Sequence, residues 1–131
     1  MYGRPTAVEL LDAVQRFLDE EIVPHTDGRR QFLARVSANV LRMLARELQL
    51  EETHLDRAWT ALETVLGPAE RPCGLAALRA ALQAREAELC ARIRAGFGDT
   101  PAARAQLIAC LRQTVQDKLA VTDPGYFTVR A

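Results

Sequence analysis

The sequence predicts an all-α protein, a single-domain antiparallel bundle of about five helices spanning residues 1–131. Two observations carry this prediction: apolar residues recur at helical spacing in five segments, and each segment is bounded by a capping residue, a proline or a glycine. A third is negative, since no alternating strand pattern and no internal repeat of about 20–50 residues is visible. A chain of 131 residues buries roughly two-thirds of its unfolded surface, which suffices for a core without disulfides or metal.

The elements follow in order. Thr6 and Glu9 form a T-x-x-E capping box after Pro5, and Leu10, Leu11, Val14, Phe17, Leu18 and Ile22 recur at helical spacing until Pro24 ends the first helix. After the turn His25-Thr26-Asp27-Gly28, the residues Phe32, Leu33, Val36, Val40, Met43, Leu44 and Leu48 mark a second helix, antiparallel to the first across a short connection. Thr53, with Asp56 three residues on, is read as the cap of a short third helix carrying Leu55, Trp59, Leu62 and Leu66 and stopped by Gly67-Pro68. Two prolines and two glycines make Gly67 to Gly74 a loop. Leu75, Leu78, Leu82, Leu89 and Ile93 define a fourth helix closed by Gly96. Thr100-Pro101 is a cap followed by proline at the first helical position, and the fifth helix runs through Leu107, Ile108, Leu111, Val115 and Leu119. In the tail, the adjacent aromatics Tyr126 and Phe127 are expected to dock and anchor the C-terminus.

Composition narrows the function classes. Lys+Arg and Asp+Glu both total 17, so net charge offers no argument for nucleic acid or an anionic membrane. Three cysteines without metal-site spacing point to reduced thiols and a cytoplasmic setting, with Cys90 and Cys110 expected to pack as small apolar residues. No apolar run approaches the roughly 18 residues of a membrane span. The spellings of zinc proteases, phosphate-binding loops and serine hydrolases are missing, and the one Glu-x-x-His, Glu51 to His54, lacks the second copy that a di-iron bundle requires. No metal and no cofactor is expected.

What remains is a set of ionisable residues on apolar stripes: Glu21, Glu47, Glu86 and Lys118. A charge facing a core costs several kcal/mol unless paired. Glu21 and Glu86 fit the rim of the bundle, where long side chains reach water. Antiparallel packing of the first two helices sets Glu47 near the start of the first, which predicts an Arg4–Glu47 ion pair. Beside the apolar stripe of the second helix, Arg35, Asn39, Arg42 and Arg46 form a polar ladder at i, i+4, i+7 and i+11.

The run Arg4-Pro5-Thr6-Ala7-x-Glu9-Leu10-Leu11-x-Ala13-Val14 with Phe17-Leu18, then Phe32-x-x-Arg35-Val36-x-x-Asn39 and Arg46-Glu47-Leu48, resembles a family of small bacterial proteins catalogued only as a domain of unknown function. The tail Lys118-Leu119-Ala120-Val121 with Pro124 and Tyr126 is similar too, so the resemblance spans nearly the whole chain. Members are often encoded beside aminoglycoside-phosphotransferase-like and acyl-CoA-dehydrogenase-like proteins, which implies an accessory role and brings no activity to transfer. Two readings stand side by side. In one the chain is a non-catalytic, oligomeric interaction module for a partner enzyme. In the other a pocket between helices two, four and five binds a small anion such as a CoA ester, nucleotide or sugar phosphate, through Arg35, Asn39 and Arg46 with Glu47 or Lys118 inside.

Overall fold

The computed structural model describes residues 3–126. Helix α1 is Ala7–Phe17, extended by a π-helical turn at Leu18–Ile22. Helix α2 is Gly28–Leu66, α3 is Leu75–Arg94 and α4 is Pro101–Thr122. The fold is all-helical, with four α-helices among the described residues where the sequence predicts five.

The difference lies at Thr53. The expected second and third helices are one element of 39 residues, because Glu51-Glu52-Thr53-His54 holds neither glycine nor proline to stop it. A threonine is a cap only where the preceding helix has already ended, and here nothing ends it. Other punctuation works as the sequence implies. The Thr6 hydroxyl accepts the Glu9 backbone N–H at 3.2 Å and the Glu9 carboxylate accepts the Thr6 N–H at 2.7 Å. At α4 the Thr100 hydroxyl accepts the Ala103 N–H at 3.4 Å, ahead of Pro101 at the first helical position. Gly67, at φ +93°, ends α2 in a conformation that side chains disfavour.

The chain divides into two compact units, Met1–Leu50 with Val121–Ala131, and Glu51–Ala120. In the first, α1 and the first part of α2 form an antiparallel hairpin. Asp19 pairs with Arg42, and the Val8 to Gln15 stretch faces Leu41 to Gln49. The turn between them is held by side chains on orphan carbonyls: the His25 ring nitrogen lies 2.7 Å from the Glu21 carbonyl, Thr26 donates to Ile22 at 2.7 Å and Gln31 to Val23 at 3.1 Å. The Arg46 Nε donates to the Val121 carbonyl at 2.7 Å, capping the last turn of α4.

The second unit has a conventional core. Trp59, Leu62 and Val65 of α2, Leu78, Leu82 and Leu89 of α3, and Leu107 and Cys110 of α4 form one buried cluster, with Leu55, Leu66 and Phe97 packed against it. Leu78 is only 1% exposed. Burial of side chains this size contributes about 1.5–3 kcal/mol each, so this cluster supplies most of the unit's stability.

Candidate interaction surface

Unit 1 buries little. Among its described residues the buried hydrophobic ones are Ala34 and Ala38, and α1 has no buried residue. Ala34, Ala38, Leu41 and Ala45 recur at i, i+4, i+7 and i+11 and make the face that α2 turns toward α1. Small residues let two helix backbones approach closely, and the large apolar residues are thereby left on another face. Leu33, Val36, Val40, Leu44 and Leu48 are 43 to 51% exposed, and on α1 Leu10, Val14 and Phe17 are 44 to 53% exposed. Phe32 borders them at 64%. At about 100° per residue, each exposed stripe lies about 120° round its helix from the face that meets the other. Because the helices run antiparallel, the equal turn in the same sense brings both stripes to one side of the hairpin.

This arrangement revises the inward charges. Glu47 does lie in line with Val40 and Met43, but Val40 is exposed and Met43 only half-buried, so Glu47 is exposed as well. It forms no ion pair among the described residues; Arg4 instead meets Glu9 at 3.4 Å, so the expected Arg4–Glu47 pair is not formed. Glu21 is exposed because it lies within the π-helical turn, whose extra residue breaks the 100° count from α1. Glu86 is exposed on α3. Lys118 is exposed too, because α4 sits turned from the stripe read in its sequence: it buries Leu107, Cys110 and Asp117, while Ile108, Leu111 and Val115 face outward.

The residues proposed to hold an anion fall as follows. Arg35 and Asn39 are exposed on α2, with the Asn39 amide 3.9 Å from the Met43 sulfur. Arg46 is engaged with Val121. Arg35, Asn39, Arg46 and Glu47 belong to unit 1 and Lys118 to unit 2. Unit 1 has a groove of about 450 Å³ between α1 and α2, lined by Glu9, Asp12, Gln15, Arg42, Arg46 and apolar neighbours, which contains one of the five. Its charges are already matched: Glu9 with Arg4, Asp12 with Arg16, Arg42 with Asp19, and Arg46 with a carbonyl. The tail residue Tyr126 is 39% exposed, its N–H donating to Asp123 at 3.0 Å in a turn. Phe127, the other expected anchor, lies outside the described residues.

Unit 2 holds the polar clusters that spacing missed. Asp117 is 9% exposed, and its Oδ1 accepts from Arg57 and Gln113 at 3.1 Å each, with the His54 Nε2 3.6 Å away. The Arg85 guanidinium lies 5.0 Å from the centre of the Trp59 ring and donates to the Gly67 carbonyl at 2.7 Å, closing the end of α2. The Arg85 Nε is buried without a partner. A sequence signal for the first cluster exists, since Cys110, Gln113, Thr114 and Asp117 recur at i, i+3, i+4 and i+7, a small and polar stripe beside the apolar one. Of the two thiols expected to pack inside, Cys110 is buried but Cys90 is exposed, and Cys73 is exposed as well. Burial, and then the nearby Glu86 charge, push the Cys110 thiol up from its ordinary pKa, which keeps it protonated and a poor nucleophile.

No helix among the described residues is long and apolar enough to cross a membrane. No curated protein and no solved structure gives a significant match to the chain. One family model, described as "Domain of unknown function (DUF6285)", matches residues 24–126 and so takes in α2, α3 and α4 whole. With most of its length covered by that model, the chain belongs to the DUF6285 family of domains of unknown function.

Proposed function

We propose that the chain is a non-catalytic helical interaction module whose working surface is the apolar face of unit 1. The observation that supports this is the pair of exposed stripes on α1 and α2. Eight large apolar residues at 43 to 53% exposure line one side of the hairpin, a grouping of exposed apolar surface that monomeric proteins rarely carry without a use. The same module reading extends to an accessory role in the cytoplasm beside a phosphotransferase-like or acyl-CoA-dehydrogenase-like enzyme. The groove between α1 and α2 favours no anion-binding alternative, because its cationic groups already have protein partners.

The test compares the native chain with the double substitution Val40→Asp/Leu44→Asp, both exposed in the fold, by light scattering and by affinity capture from lysate. The native chain is expected to form complexes that the variant loses, with helicity by circular dichroism unchanged. A native chain that stays monomeric and captures nothing, or a variant that keeps every complex, overturns the reading.

A further inference from the structure

Resting on that reading of the apolar face, we infer that its occupant is a second copy of this chain, packed about a two-fold axis with α2 antiparallel to its mate. Three features of unit 1 lead there. The first is area. Eight large apolar residues per copy, each 43 to 53% exposed, supply an apolar centre for an interface of the standard size, ~800 Å² per partner.

The second is layering. A pair of helices offers only one layer to bury against, and Ala34 and Ala38 are too small to make a core. Two such hairpins laid face to face make the four helices of a bundle, with the exposed stripes turned inward as its core.

The third is charge, and it selects the orientation. Arg29 lies on the same line of α2 as Val36, Val40 and Glu47 at about 100° per residue. Arg29 and Glu47 stand at opposite ends of the stripe, equidistant from Ala38, and both are exposed with no ion pair among the described residues. When two copies of α2 run antiparallel and their exposed stripes cross at the level of Ala38, Arg29 of each copy meets Glu47 of the other. Val36 then faces Val40, and Leu33 comes level with Met43, one residue from Leu44. A two-fold interface must be complementary to itself, and a stripe that is basic at one end, acidic at the other and apolar between satisfies that condition only in the antiparallel sense. A parallel pairing sets Arg29 against Arg29 and Glu47 against Glu47.

Size-exclusion chromatography with light scattering over a concentration series reads the proposal directly. The native chain is expected to be a dimer. Glu47→Arg and Arg29→Glu are each expected to weaken it about tenfold or more, since every reversal enters twice through the two-fold axis. The double variant Arg29→Glu/Glu47→Arg restores the pairs with sign exchanged and is expected to return within about threefold of native affinity. Val40→Asp is expected to give a folded monomer, checked by circular dichroism. A native chain monomeric at every concentration, a dimer indifferent to both reversals, or a double variant no better than the singles overturns the proposal. If the native chain is monomeric yet a captured partner is lost on Val40→Asp, the self-association fails while the module reading stands; if nothing is captured either, both fail.

Discussion

The two parts of α2 are made of similar residues and are used in opposite ways. In unit 2 its tryptophan, leucine and valine side chains turn inward, where Trp59 and Leu62 are each 4% exposed. In unit 1 the corresponding large residues stay outside, and alanines make the contact with α1. The difference teaches that an amphipathic helix does not by itself say which face is core. Unit 2 has three helical segments around one centre, so large side chains fill the space between them. Unit 1 has two, and two helices close most tightly through their smallest residues.

That contrast is open to direct test, beginning with the largest effect. Leu78→Ala in unit 2 is expected to cost about 2–5 kcal/mol, while Leu44→Ala in unit 1, measured at concentrations where the chain is monomeric, is expected to cost under about 1 kcal/mol. Urea unfolding followed by the fluorescence of Trp59 measures both, and equal costs would erase the distinction between the two units. A smaller effect belongs to the polar seam of unit 2. Asp117→Asn removes the charge that Arg57 and Gln113 share and is expected to destabilise by about 1–3 kcal/mol. Arg57 is half exposed, so water compensates part of the loss. A neutral outcome would mean that apolar packing alone holds α4 in place.

The smallest effect sharpens the picture of the core by pH. Because the Cys110 thiol is raised in the fold, chiefly by burial, the unfolded chain loses this proton first as pH climbs. Its contribution is therefore fully present below the ordinary thiol pKa and is lost as pH rises through the folded value. Cys110→Ala is expected to flatten the alkaline limb of the stability profile and to leave the neutral region nearly unchanged apart from the lost sulfur contacts. Unfolding midpoints measured at neutral and strongly alkaline pH check this. Cys73 and Cys90, both exposed, are expected to react with thiol reagents in the native state while Cys110 does not.

Much of this architecture was legible in the chain wherever a residue acts on its own neighbours. Thr6 and Glu9, Pro24, Gly67, and Thr100 with Pro101 exert their effect within one turn, and they bound the helices where their chemistry requires. Thr53 misled because a cap residue only permits an end. The candidate site was far less legible. Glu47 does share the Val40 line, yet helical periodicity weighs leucine above alanine and so points to the wrong face of α2 as buried. A 100° turn of α4 exchanges Asp117 with its neighbour Lys118, and only the packing of unit 2 fixes that rotation.

The π-helical turn at Leu18–Ile22 also bears on how this chain tolerates changes in length. Its backbone bond from Val23 to the Leu18 carbonyl, 2.9 Å long, encloses one residue more than an α-helical turn would. The hairpin thus carries a spare residue between the apolar stripe of α1 and the Pro24 corner. Losing one residue there converts the turn to ordinary α-helix and rotates Asp19 away from Arg42, while Leu10, Val14 and Phe17 keep their places. Length variation among relatives, where it occurs in this hairpin, should therefore gather at that turn rather than within either stripe.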